Sequence, residues 1–501
     1  MAISRTVSVS AGSGGGAQPS GLVHAAMVEH LGEDAQNLPV ATGTWQPHDH
    51  VNVQAAIDVW TERHPGAGRL LGLTGFRHRM FGLADLCTPG LDTGMAVGAA
   101  ARVELASGPG GEVRGCVQCG VYLITDGDAR TAVLVRGSDD RGPQQDIVVE
   151  IASTAPGEAR RLLAELRALA IEHNVYRGRV VSFGGEVFGP FGRGALLSFH
   201  PRPTLEREQL VLPEGLLEGV ERQIIGVARH RELLLAHGQH LKRGVLLYGP
   251  PGVGKTHTIR YLMSRLPQTT VLMLSSTFLP LIRQACSVAR TLQPSLLIVE
   301  DVDLIAEERG PRLEASPLLF QLLNEMDGLG EDVDVTFVLT TNRVDVLEPA
   351  LAARPGRIDH AVEIPMPDAE GRRRLLAVYR GGLDLDLAEP ERVIERTEGV
   401  TASFIKELLR RAALNAADEN GVQPPGPDAA SAGSEPDRSE SNQAESEGAD
   451  PGSAADAPRP ALRLTDAHLH AALDVLLDNR NRLTRVLLGV QADAPQERRA
   501  D

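Results

Sequence analysis

Apolar and polar positions fall into three successive patterns along the chain. From about residue 21 to 205 two periods are mixed. Val113 to Ile124 and Thr131 to Val135 are apolar runs flanking the turn Asp126-Gly127-Asp128-Ala129, which predicts a hairpin. Residues 157–173 place Leu162, Leu166 and Leu169 on one helical face. Pro201, Pro203 and Pro213 then predict a linker near 200–215.

From about 216 to 366, strand-length runs that are apolar on both faces alternate with amphipathic helices: GVLLYG, TVLML, SLLIVE and VTFVLT. This is the pattern of a parallel sheet buried between helices. Ile259, Leu262, Met263 and Leu266 are spaced to pack one helix face on that sheet. Ser316 followed by Pro317 predicts another helix start.

From about 367 the strand pattern stops. Asp368 caps a predicted helix through Tyr379, a second helix carries Ile405, Leu408, Leu409 and Ala412 on one face, and a third is predicted from about Asp466 to Leu488. The intervening 421–460 stretch has almost no large apolar residue, so it cannot offset its ordering entropy and reads as a disordered acidic insertion. The expected organisation is therefore a flexible start (1–20), a mixed α/β N-terminal domain (21–205) that binds a client or partner, and an α/β domain (216–366). A helical lid (367–420) completed by a last helix (461–490) and a flexible end (491–501) follow. No internal repeat is evident.

Composition narrows the class. The 501 residues include 50 basic and 66 acidic ones, a net charge of −16, and the 421–460 stretch alone holds eight acids against two arginines. That balance argues against binding nucleic acid through a generally basic surface. No apolar run reaches the roughly 18 residues of a membrane span, the N-terminus lacks the apolar core of a signal peptide, and four cysteines suit a reducing compartment, so a cytoplasmic protein is expected.

Only Lys242, Lys255 and Lys406 are lysine among those 50 basic residues. Lys255 lies in Gly249-Pro250-Pro251-Gly252-Val253-Gly254-Lys255-Thr256, which fits the phosphate-loop (Walker A) pattern G-x-x-x-x-G-K-[ST] between a strand and a helix. Backbone N–H groups and the following helix N-terminus converge on phosphates there. A compact ammonium fits such a cradle, whereas a guanidinium would displace the loop. Lys255 is thus expected on the β- and γ-phosphates and Thr256 on Mg²⁺, with His257 completing the nucleotide-binding stretch 249–257. Downstream, a strand ends in Glu300, Asp301 and Asp303, a place from which a carboxylate holds the Mg²⁺ shell and its neighbour orients water. VTFVLTTN ends in Asn342, whose amide suits a γ-phosphate sensor, although an asparagine after a strand is most often a turn residue. Arg354 and Arg357 bracket a Pro-Gly turn, an arrangement that suits arginine fingers reaching a neighbouring subunit's ATP; the plainer reading is a solvated turn.

Taken in order, GPPGVGKT, LLIVEDVD, LLNEMDGL, TTNRVDVLEPALAARPGRIDH and TEGVTASFIKELLRRAA resemble the AAA ATPases over about 216–420 plus the last helix. The resemblance implies a P-loop NTPase domain with a helical lid. It also implies hydrolysis of ATP to ADP and phosphate, and a homo-oligomeric ring, commonly a hexamer, whose sites are shared between subunits. Three departures stand out. The usual Asp-Glu strand ending is Glu300-Asp301, which by position gives Glu300 the Mg²⁺ role and Asp301 the water, with a side chain one carbon shorter. The aromatic pore loop of polypeptide-threading members has no room after TVLML, and Phe278 and Leu279 are the only local candidates. The lid signature Gly-Ala-Asp is Ala402-Ser403-Phe404, whose phenylalanine is expected inside the lid.

Other signals carry less. Cys116 and Cys119 form C-x-x-C, which half of a zinc site, a redox pair or half-buried strand cysteines would each explain. No H-E-x-x-H occurs, which argues against a membrane-bound metalloprotease. Residues 174–194 fit a strand followed by a glycine-rich loop. The reading reached is a chaperone-like ATPase that remodels an unidentified protein client. The alternative is a nucleotide-dependent scaffold or switch with negligible hydrolysis, and a DNA-directed motor is a third option that would need a basic groove.

Overall fold

The computed structural model describes residues 23–64, 68–76, 81–88, 95–138, 146–184, 196–303, 317–328, 330, 333–345, 358–420 and 462–478. The terminal segments, the acidic stretch, Ser316, Arg354 and Arg357 lie outside them. The chain divides into two compact units. The first comprises Met1–Arg202, Pro267–Val299 and Asn324–Phe337; the second comprises Pro203–Leu266, Glu300–Leu323 and Val338–Asp501.

In the first unit an antiparallel sheet is built from β1 (Val40–Trp45), β2 (Gly68–Thr74), β3 (Ala96–Gly98), β4 (Ala101–Ala106), β5 (Val113–Asp126), β6 (Ala129–Arg136) and β7 (Ile147–Ser153). Its order is β1-β7-β6-β5-β2-β3, with β4 also on β5. The expected hairpin is β5–β6. Asp126 faces Ala129 across it, and Gly127 takes the positive φ of 57° that the tight turn requires. Side-chain alternation splits each strand between two cores. Ala132 and Leu134 of β6 pack with the helices Val23–Leu31 and Leu83–Cys87, whereas Val133 and Val135 pack with the helices His50–Arg63 and Glu158–Glu172. The latter helix buries Leu162, Leu166 and Leu169, as the spacing predicts.

The same unit contains β8 (Val180–Gly184), β9 (Leu196–His200), β11 (Thr270–Leu274) and β12 (Ser295–Val299); β10 (Arg243–Tyr248) belongs to the second unit. β11 pairs in parallel with β12 and, on its other side, with β8, which pairs antiparallel with β9. A hairpin from the N-terminal part of the chain therefore covers what would be an open strand edge. After β11 a short 3₁₀ turn, Ser276–Leu281, runs directly into the helix Ile282–Thr291. Leu279 is fully buried there and Phe278 only partly, so the residue that anchors this short connection is the leucine rather than the aromatic.

In the second unit β10 pairs in parallel with β14 (His360–Glu363), and its other neighbour in the strand order is β13 (Val335–Thr341), of which residues 338–341 belong to this unit. The helix Lys255–Arg265 buries Ile259, Leu262 and Met263. Parallel strands alternating with packed helices are the P-loop α/β arrangement that the apolar runs predict.

The lid packs the helices Ala369–Tyr379, Pro390–Arg396, Ala402–Glu419 and Asp466–Leu477 around one core. Asp368 caps the first of these, accepting from Gly371 N at 2.7 Å, and Phe404 is fully buried in that core. One expectation is corrected here. Strands do not stop at 367: β15 (Asp384–Asp386) and β16 (Arg463–Thr465) form a short parallel pair. Only Leu385 and Leu464 of that pair meet the core, too few alternations to leave a period in the sequence. The last helix is described over Asp466–Leu477, and the rest of the stretch expected to reach Leu488 lies outside the described residues from 479 on.

Candidate functional site

The phosphate loop leaves β10 at Tyr248 and enters its helix at Lys255, with positive φ at Gly249, Gly252 and Gly254. At Gly249 a β-carbon would meet Ile364 O at 2.3 Å, and at Gly252 it would press on Thr401 and Ser403. The contact at Gly252 is a docking point for the lid, since Ser403 N donates to Gly252 O at 3.1 Å. Glycine is therefore required at both positions by backbone conformation and by close approach.

Lys255 is only 7% exposed. Its Nζ donates to Gly249 O at 2.7 Å, Pro250 O at 2.9 Å and Asn342 Oδ1 at 2.7 Å. Burial lowers its pKa, and the carboxylates of Asp301 and Asp303 oppose that shift. Thr256 Oγ1 donates to Glu300 Oε1 at 3.0 Å. Asn342 Nδ2 donates to Asp301 Oδ1 at 3.2 Å, while Asn342 N and Thr341 Oγ1 both donate to Asp303 Oδ1, at 3.2 and 2.9 Å. The structure thus brings together Lys255, Thr256, Glu300, Asp301 and Asn342, five residues drawn from the phosphate loop and two strand ends.

A cradle too tight for any β-carbon at Gly249, closed by a buried ammonium, fits a phosphate group. The Thr256 hydroxyl beside a carboxylate is a hard-oxygen pair that fits Mg²⁺, which takes few protein ligands and keeps water and phosphate oxygens for the rest.

The family model for the ATPase family associated with various cellular activities (AAA) matches residues 245–366, the segment that holds the phosphate loop and both strand ends. The chain carries an AAA domain over these residues. Its AAA region is similar to that of the proteasome-activating nucleotidase of Methanocaldococcus jannaschii, at 30% identity over 241 residues, 45% of this chain and 56% of the relative. It is also similar to the ATP-dependent zinc metalloprotease FtsH of Rhodococcus erythropolis, 35% identical over 201 residues, 37% of this chain and 23% of that protein. The probable 26S proteasome regulatory subunit 6B of Caenorhabditis elegans is 30% identical over 227 residues, 41% of this chain and 55% of that subunit. The chain spans little more than half the length of two of these relatives and less than a quarter of the third.

Beside the AAA phosphate loop the structure adds a cleft of about 410 Å³ that the sequence did not mark. Leu210 and Leu212 of the linker and Leu217 of the helix that follows it line the cleft together with Val253, Pro367 and Ala402. The proline signals marked residues 200–215 as a linker, yet Leu210 and Leu212 are buried, so this segment is a wall of the cleft. Thr341 is a further member of the site that carried no separate signal in the sequence, whereas Asp303, named with the strand-end acids, accepts from Thr341 and Asn342. His257 turns away from the loop, its Nε2 3.3 Å from Gln209 O, and burial lowers its pKa.

Cys116 and Cys119 are fully buried in β5 rather than half-buried. Cys119 packs with Val121 and Leu123, and the Cys116 thiol donates to Arg114 O at 3.5 Å. Burial pushes both thiols up to about 12. Among the described residues no cluster of three or more His, Cys, Asp or Glu is placed to hold a metal ion, and no helix is long and apolar enough to cross a membrane.

Proposed function

We propose that this chain binds ATP at residues 249–257 and hydrolyses it to ADP and phosphate, coupling turnover to the remodelling of a protein client. The observation that carries the reading is the Asn342 amide, which receives Lys255 Nζ on one side and donates to Asp301 on the other. That arrangement places a cation and a carboxylate on either side of one sensing group, as phosphoryl transfer to water requires. In this reading Lys255 holds the β- and γ-phosphates, Asp301 orients the attacking water, and Asn342 senses the γ-phosphate. Thr256 and Glu300 hold Mg²⁺, directly and through its water shell. Mg²⁺, when bound, neutralises charge on the phosphate oxygens. The cleft, which combines apolar Val253 and Ala402 with charged Arg207, Glu218, Asp368 and Arg374, is the seat for the nucleoside in this reading, and Ser403 on Gly252 links its occupancy to the lid.

The client class and the ring follow from similarity. Relatives named for activating or regulating the proteasome support a protein client, and the homo-oligomeric, hexameric ring is proposed from the AAA resemblance. Arg354 and Arg357 are then the fingers that complete a neighbour's site, the N-terminal domain binds the client, and four buried free thiols suit the cytoplasm. The test is phosphate release per subunit against protein concentration. Specific activity that climbs with concentration supports sites completed between subunits. Bound ATP without turnover at any concentration replaces this reading with a nucleotide-gated scaffold.

A further inference from the structure

Among the described residues Asp301 is the only non-glycine residue with a left-handed backbone, at φ 51°. The bend is tied to β13 at two points. Asp301 N donates to Thr340 Oγ1 at 3.0 Å, and Val302 N donates to Thr340 O at 3.0 Å. Thr340 is 2% exposed, so its hydroxyl has no competing water, and the Asp303 contacts with Thr341 and Asn342 fasten the next residues along the same strand end.

A left-handed residue with a β-carbon is strained. Aspartate and asparagine tolerate that region better than longer side chains, because their short polar groups hydrogen-bond locally. The bend also redirects the side chain: Asp301 meets Asn342, while Glu300, one carbon longer, receives Thr256 Oγ1.

We infer that the Glu-Asp order is matched to this bend and that Thr340 is the positioning residue that holds it. The length of the acid sits at 300, where the span to Thr256 needs it, and the short acid sits at 301, where the backbone accepts little else. The inference rests on the reading that Asp301 orients water. In this inference the side chain at 301, one carbon shorter than the usual glutamate, is the one fitted to the bend.

Three variants of the full chain test it by phosphate release and ATP titration. Thr340→Val removes the hydroxyl acceptor and should lower kcat at least about tenfold while ATP affinity stays within about twofold, since displacement by about 1 Å can cost about 10²-fold. Thr340→Ser keeps the hydroxyl and should restore most of the rate. Asp301→Glu should be slower than the parent by a similar factor. Thr340→Val at the parent rate, Thr340→Ser as slow as Thr340→Val, or Asp301→Glu as fast as the parent overturns the inference. Melting temperatures read the bend without turnover. Asp301→Gly should melt above Asp301→Glu, because glycine alone adopts this φ freely, and the reverse order overturns the bend argument. A parent chain that binds ATP and releases no phosphate removes the hydrolysis reading, and the melting comparison still decides the bend.

Discussion

Lys255 Nζ donates to Asn342 Oδ1 at 2.7 Å, joining the phosphate loop to the end of β13. The other end of the same amide is committed to Asp301, so one side chain holds two groups of opposite charge. Asn342→Ala should leave ATP affinity within about threefold and reduce turnover about 10²-fold, the loss expected when a positioned polar group in a catalytic site is removed. Single-turnover phosphate release beside a binding titration separates the two quantities, and an unchanged rate would remove Asn342 from the site.

Lys255 has three acceptors within 2.9 Å and almost no exposed surface. Lys255→Ala should abolish measurable ATP binding. Lys255→Arg keeps the charge and should still lose at least about tenfold in affinity, because a planar fork cannot occupy the space of an ammonium without moving the loop. Calorimetric titration checks both, and parent-like affinity in either variant would contradict the cradle.

Gly249→Ala should destabilise the fold by about 2 kcal/mol or more, through the approach of its β-carbon to Ile364 O and a φ of 144°. Gly382→Ala, where a β-carbon would meet nothing within 4 Å, should stay within about 0.5 kcal/mol of the parent. Denaturant unfolding of the pair is the measurement, and equal midpoints would argue against the loop conformation.

All four cysteines are buried and free, and burial raises Cys87 to about 11 and Cys116, Cys119 and Cys286 to about 12. Raised thiol pKa values leave very little thiolate at pH 8, and burial blocks the reagent as well. A thiol-specific chromophore should therefore react slowly with the native protein at pH 8 and label four groups after unfolding. Rapid labelling of two native thiols would revive a redox role for the Cys116–Cys119 pair.

Much of the AAA region was legible from local pattern. A strand apolar on both faces announces burial on both faces, and SLLIV and VTFVLTT are fully buried in the structure. Glycines at 249, 252 and 254 announced a backbone that other residues adopt poorly, and each has positive φ. Asp368 announced a helix start because its carboxylate satisfies a backbone donor three residues on, and it does.

What escaped the sequence depends on contacts between distant segments. The lining of the cleft by Leu210 and Val253, the cover of β8 on β11, and the β15–β16 pair each join parts of the chain whose spacing encodes nothing about the partner. The site divides the same way. Residue types and their order named Lys255, Thr256, Glu300, Asp301 and Asn342, because a phosphate cradle and a metal shell need those chemical groups at strand ends and a helix start. Only the tertiary structure decided that Asn342 joins Lys255 to Asp301, that Thr340 holds residue 301 in a left-handed bend, and that Ser403 sets the lid on Gly252. The first set follows from side-chain chemistry and local period. The second follows from where packing brings backbone groups that have lost water and must be satisfied.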